Sequence, residues 1–181
     1  MSKIQKDSFR KLCLCKLRFT SKNTKFKRDK TICSSIIDVI NIHKPKKILL
    51  YIPMKMEVDI RPIINRLRKQ KNIEVYVPYM VGKSFVPVKY RLPLYRKKFN
   101  IKEPNFSTFR ENNIDLDLIV VPIVGIDKTY RRVGFGAGMY DRFYEKLKIK
   151  PITIFTQLKL CKTDEIVTNS YDIEANYIIT L

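Results

Sequence analysis

Four of the five glycines in this 181-residue chain, Gly125, Gly134, Gly136 and Gly138, fall within fourteen positions of one another. Three alternate in the run Arg132-Val133-Gly134-Phe135-Gly136-Ala137-Gly138-Met139-Tyr140-Asp141-Arg142. Glycine lets the main chain reach positive φ and lets a ligand come close to the backbone. The run follows an apolar segment at 116–124 and precedes a helix-like pattern at 140–147. A strand, a glycine turn and a helix start, in that order, present bare N–H groups to a phosphate. Arg132 and Arg142 flank the turn with positive charge, and Asp141 adds a carboxylate able to hold a metal. The spacing matches neither the P-loop nor the dinucleotide fingerprint. It has no Gly-Lys-Ser/Thr ending and no acid at the distance expected for a ribose contact.

The elements that would carry this turn are legible in the apolar pattern. A first helix is expected from residue 4 to about 18, with Phe9, Leu12, Cys13 and Leu17 as its stripe. Lys6 and Arg10 share one face of it, and on residue type alone they read as a solvated basic face. A second helix is expected at 31–42, ended by Lys44-Pro45. The continuous apolar run 48–52 suits a buried parallel strand. The loop after it, 53–58, lies at the strand's C-terminal end, where open α/β sheets place ligands, and its Glu57 is either a solvated loop acid or a ligand contact. Asp59 reads as an N-cap for a helix with Ile60, Ile63, Ile64 and Leu67 in register. Further strands are expected at 73–77 (closed by Pro78), 84–89, 117–121, 151–155 and 177–180. The stretch 91–108 reads as irregular, with Tyr95, Phe99 and Phe106 either lining a pocket or anchoring a loop. The alternation predicts a single α/β domain over 1–181, with a mainly parallel open sheet flanked by helices, Rossmann-like.

Composition narrows the class. Lys and Arg exceed Asp and Glu by 37 − 17 = +20. The charge is spread along the chain, so weak nucleic-acid affinity follows without a specific nucleic-acid site. Anionic small molecules such as ATP are favoured as well. No apolar stretch is long enough to span a bilayer, and no apolar core follows the basic start as in a secretory signal. Both observations predict a cytoplasmic protein. Cys13, Cys15, Cys33 and Cys161 form no C-x-x-C pair, so reduced, partly buried thiols are expected. His43 reads as a solvated loop residue.

The run Val121-Pro122-Ile123-Val124-Gly125-Ile126-Asp127, continued by Arg132 to Arg142, resembles the signature of the 5-formyltetrahydrofolate cyclo-ligase family. Further landmarks stand in the family's order: Lys6 and Arg10, Tyr51-x-Pro53 before Glu57-Val58-Asp59, Glu103-Pro104, Gln157 and Asp172. The resemblance covers nearly the whole chain. It implies ATP-dependent closure of 5-formyltetrahydrofolate to 5,10-methenyltetrahydrofolate, with release of ADP and phosphate. It also implies roles for residues. Lys6, Arg10 and Arg132 would be catalytic and would bind ATP. Gly134, Phe135, Gly136, Ala137, Gly138 and Tyr140 would complete the ATP site. Ile52, Glu57 and Tyr140 would hold the reduced folate, and Asp141 and Asp172 would hold Mg2+. The partners implied are small molecules, with no membrane and no specific nucleic acid, and the chain is expected to be a monomer or weak dimer. Ala137, Met139 and Gly125-Ile126 depart from the family's common residues. Two alternatives stand beside this reading: a basic RNA-binding protein on a cyclo-ligase scaffold, and a kinase-like enzyme with another small acceptor.

Overall fold

The computed structural model describes residues 5–96, 102–104 and 114–181. Two long helices open the chain, α1 (Lys6–Asn23) and α2 (Lys25–His43), separated only by Thr24. Phe9, Cys13, Leu17 and Thr20 are the buried stripe of α1, and Ile32, Ile36, Val39 and Ile40 that of α2. Both stripes recur at three- and four-residue steps, as one face of a 3.6-residue helix requires. The second helix starts earlier than its apolar pattern predicts, because its first turn is lysine-rich and solvated. It ends where Lys44 turns left-handed (φ 46°) before Pro45. His43 is solvent-exposed as expected, but it closes α2 and does not stand in a loop, and its Nε2 lies 2.7 Å from the Tyr177 hydroxyl.

Strand β1 (Lys47–Leu49) leads through a loop to α3 (Arg61–Leu67), with Pro62 in its first turn. Ile60, not Asp59, is the N-cap residue. Asp59 still accepts the Arg61 N–H at 3.1 Å. Then come the hairpin β2 (Glu74–Val81) and β3 (Ser84–Lys89), and a small hairpin β4 (Leu94–Arg96) and β5 (Lys102–Pro104) within the stretch read as irregular. Phe99 and Phe106 lie outside the described residues. Strand β6 (Leu118–Pro122) is followed by a two-residue pair, β7 (Gly125–Ile126) and β8 (Arg132–Val133). The chain closes with α4 (Met139–Glu145), β9 (Ile152–Thr156) and β10 (Tyr177–Ile179).

The main sheet has the order β10-β9-β6-β1-β2-β3, and every pairing is parallel except β2 with β3. Burial follows the two-residue strand period. Ile48, Leu118, Val120 and Ile154 face a core shared with α1, α2 and α3. Leu49, Ile119, Val121 and Phe155 face a second core that includes Phe143 of α4. The sheet is therefore covered on both sides, which explains why its strands read as unbroken apolar runs. Strand β2 continues through Pro78, which sits opposite Pro87 in the pairing with β3. The expected stop at Pro78 is corrected on that ground. Pro87 is on the edge strand β3, and Pro78 lies beyond the last residue that β1 pairs, Tyr76, so neither missing donor breaks a ladder bond. Central strand β1 has β2 on one side and β6 on the other. The chain winds outward in both directions from it, so a crevice opens at the C-terminal ends of β1 and β6.

Candidate active site

That crevice contains a cavity of about 370 Å³. Tyr51, Ile52 and Met54 come from the end of β1, and Pro122 from the end of β6. Pro78 and Met80 of β2 form one wall, and the glycine turn with Met139 and Tyr140 forms the other. Glu57 and Arg132 are its charged groups. The sequence singled out Ile52, Glu57, Arg132 and the glycine turn. It missed Met54, Pro78 and Met80, whose only signal is their place past or along the strands that end here.

Arg132 is almost fully buried, and Asp141 faces it. The Arg132 guanidinium lies 5.1 Å from the Tyr140 ring centre, in cation–π contact. Its Nη1 stands 3.7 Å from Asp141 Oδ1, close enough to attract but too far to hydrogen-bond. Nε and Nη1 of Arg132 and Oδ1 of Asp141 are buried without a hydrogen-bond partner. Buried polar atoms in this state cost about 1–3 kcal/mol each, so their lack of partners sets these groups apart from the rest of the core. The guanidinium occupies the space a side chain would need at Gly134. A Cβ there would overlap Arg132 Nη2 and lie 2.9 Å from Cζ. Gly134 is thus glycine because of its neighbour, whereas Gly136 (φ 109°) and Gly138 (φ 59°) are glycine because of their backbone.

Glu57 is buried, and its Oε2 accepts the Met54 N–H at 2.7 Å. Burial pushes its carboxyl up to about 7, against the pull of the Met54 amide, Arg132 and Lys25. The pocket therefore holds an acid that titrates near neutrality. Burial, helped by the Glu57 charge, also keeps the Tyr140 hydroxyl neutral, well above its usual range. Tyr140 packs edge-on to Phe85 at 4.9 Å, which fixes the ring that carries Arg132.

Lys6 and Arg10 are not a solvated face. Lys6 Nζ contacts both carboxylate oxygens of Asp172 at 2.6 Å. Arg10 Nε donates to the Gly134 carbonyl at 2.8 Å, and its Nη1 pairs with Asp7. The first helix thus lays two cations against the glycine turn. Among the described residues no hydrogen bond takes up the amides of residues 135–137, and Gly136 and Ala137 are exposed. Arg142, named only as a flanking charge, turns back to bond the Lys83 carbonyl (2.7 Å) and the Ala137 carbonyl.

The two aspartates named for a metal differ. Asp141 has an uncommitted buried oxygen and fits a cation. Asp172 is closed onto Lys6 and also accepts the Asn169 N–H at 2.9 Å. Among the described residues no three His, Cys, Asp or Glu side chains converge. Two buried polar groups brace the site from below. Asp127 accepts from the amides of Thr129, Val167 and Thr168 and from both threonine hydroxyls. Burial would raise its carboxyl, but those donors win and hold it down at about 2. Gln157 Nε2 donates to the Val124 carbonyl, and its Oε1 accepts the Cys161 N–H.

The cysteine expectation is corrected in part. Cys13 and Cys161 are disulfide-bonded across 148 residues of sequence, with Cα atoms 5.7 Å apart. The fold brings together two positions that no local spacing relates. Cys15 and Cys33 are free, and burial, aided by Asp29 and Asp59, pushes the Cys33 thiol up to about 11.

An open, mostly parallel sheet with a buried arginine and a glycine turn at its switch point defines a doubly covered α/β protein. The chain belongs to the 5-formyltetrahydrofolate cyclo-ligase family, whose model matches residues 2–181. It is 29% identical over 178 residues to the 5-formyltetrahydrofolate cyclo-ligase of Mycoplasma pneumoniae, covering 97% of this chain and 98% of that one. It is 32% identical over 125 residues to the probable 5-formyltetrahydrofolate cyclo-ligase of Schizosaccharomyces pombe. That match covers 64% of this chain and 60% of the fission yeast protein. Among solved structures it superposes on Aquifex aeolicus 5,10-methenyltetrahydrofolate synthetase with a TM-score of 0.81 and 27% identity, covering 98% of this chain and 90% of that one. No helix among the described residues is long and apolar enough to cross a membrane.

Proposed function

We propose that this chain closes 5-formyltetrahydrofolate to 5,10-methenyltetrahydrofolate at the expense of ATP, in the cytoplasm, as a monomer or weak dimer. The observation that carries the reading is Arg132, a buried cation with two uncommitted nitrogens between the glycine turn and the apolar cavity. A group so placed can bridge two ligands. The reduced folate enters the cavity. Ile52 and Tyr140 supply apolar walls, and Glu57 accepts from the N–H-rich pterin edge. The amides of the glycine turn cradle the ATP phosphates.

The formyl oxygen of the substrate is a poor leaving group. It attacks the γ-phosphorus, the bond to ADP breaks, and an iminium phosphate forms. N10 then adds to the iminium carbon, the carbon–oxygen bond breaks, phosphate departs with that electron pair, and N10 loses its proton. Arg132 neutralises charge on the transferring group, with Lys6 and Arg10. Residues that fix both ligands and exclude water are the main requirement. Asp141 would hold a magnesium ion brought with the nucleotide, which neutralises phosphate charge when bound. Asp172 serves by orienting Lys6. An open RNA-binding face has no use for a buried carboxylate in an apolar cavity, so the polyanion alternative has less support.

The test is spectroscopic. Protein mixed with ATP, magnesium and 5-formyltetrahydrofolate should develop the absorbance of methenyltetrahydrofolate, and Arg132→Ala should abolish most of it. A folded protein that yields no such product refutes the proposal.

A further inference from the structure

We propose that the Cys13–Cys161 disulfide is a redox-responsive positioning element of the phosphate site. This rests on reading Lys6 and Arg10 as phosphate ligands. Arg10 lies three residues before Cys13 and Lys6 seven, so all three share one face of α1. The covalent bond therefore pins the same face that presents both cations. Its other end is stitched to the root of the glycine turn. The Cys161 carbonyl accepts the Ile126 N–H at 3.0 Å, and Ile126 pairs with Arg132 across β7 and β8.

Gly125 supports the same conclusion independently. Its φ is unremarkable, so conformation does not require glycine there. A Cβ would instead meet Phe9 Cε1 at 2.9 Å, Cys13 Sγ at 3.0 Å and the Cys161 carbonyl oxygen at 3.0 Å. Such distances force something to move. Gly125 is the recess that lets α1 close onto β7 with the sulfurs in contact. Away from this clamp the N-terminal half of α1 reaches the site through polar contacts, Lys6 to Asp172 and Arg10 to Gly134. These are contacts that ATP phosphates would compete for.

The redox step is thiol–disulfide exchange with an external dithiol. The dithiol gives up two electrons and two protons as it closes to its own disulfide, and Cys13 and Cys161 each become a thiol. Both cysteines are buried, so exchange requires α1 to lift from β7. A cytoplasmic protein keeps few permanent disulfides, and those it has are commonly redox-sensing. A nucleotide gripped by both α1 and the turn must in turn oppose that lifting, because coupling between two sites is reciprocal.

The experiment compares oxidised wild-type protein with protein reduced by dithiothreitol, alongside Cys161→Ser. Alkylation and mass spectrometry count free thiols. Reduction should raise the Kd and KM for ATP about tenfold, the weight of one hydrogen bond to a charged group, and leave the KM for folate unchanged. ATP should slow alkylation at Cys13 and Cys161 during reduction, but not at exposed Cys15. The proposal is overturned if air-oxidised protein alkylates at all four cysteines without reductant, or if both forms bind ATP equally. It is also overturned if reduction unfolds the chain by circular dichroism, which would make the bond a general staple. If neither form makes methenyltetrahydrofolate, the cyclo-ligase reading fails, while ATP affinity and ATP protection still decide the positioning claim.

Discussion

Gly134→Ala tests the site through a single methyl group. Gly134 has no left-handed backbone to lose, so the added Cβ costs little in conformation. It collides instead with the end of Arg132, overlapping Nη2 and standing 2.9 Å from Cζ and 3.1 Å from Nε. The guanidinium must retreat by about 1 Å or more to restore ordinary contact. It has little room, because the Tyr140 ring and Asp141 stand on its other sides. A misplacement of that size costs on the order of a hundredfold in rate, or about 3 kcal/mol at the transition state. The assay is methenyltetrahydrofolate formation at saturating substrates, with a thermal melt as the control. The decisive arm is a double-mutant cycle. In an Arg132→Ala background the methyl has nothing to displace, so Gly134→Ala should add almost no further loss. Full turnover in the single variant, or a second large loss in the double, refutes the steric coupling. Gly136→Ala is the contrast. Its nearest neighbour would be Arg10 at 3.9 Å, and its φ is 109°, so the cost should appear in stability, not through Arg132.

Other consequences are open to direct measurement. Glu57 keeps its proton to about pH 7 when folded and to about 4.5 when unfolded. The native state therefore binds the extra proton between those values, and stability should fall by up to about 3 kcal/mol as pH rises through that window. Urea midpoints across pH 4.5–8 should show this slope in wild type and lose it in Glu57→Gln. Asp127→Ala strands three amides and two hydroxyls and should cost at least about 3 kcal/mol in chemical denaturation; a variant within 1 kcal/mol of wild type contradicts the bracing role. Asp141→Asn should keep the melting transition while losing at least about tenfold in magnesium-dependent turnover, and normal turnover removes Asp141 from the site.

Much of this arrangement could be read from residue order because the sheet is covered on both faces. Runs such as 118–122 have no polar alternation to confuse, and the helices carry stripes at regular steps. Boundaries failed where the apolar signal fades. The start of α2 at Lys25 is hidden by Lys27, Arg28 and Lys30, and β2 passes through Pro78 because the constraint on proline depends on which edge its nitrogen faces. At the site, Glu57 and Arg132 were visible by position after strands. Their burial was not, since it depends on segments distant in sequence meeting at the crevice, as when the Tyr140 ring packs against Arg132. The Lys6–Asp172 pair spans 166 residues and the Cys13–Cys161 bond spans 148. No window of sequence contains either, so only the folded topology can reveal them.

Arg142 has an implication for anyone altering this scaffold. By gripping the carbonyls of Lys83 and Ala137 together, it fastens the tip of the β2–β3 hairpin to the rim of the cleft. Those two surface loops then behave as one hinge plate. A peptide tag or fluorophore grafted at Gly82-Lys83, far along the chain from Arg132, would pull on the glycine turn through Arg142.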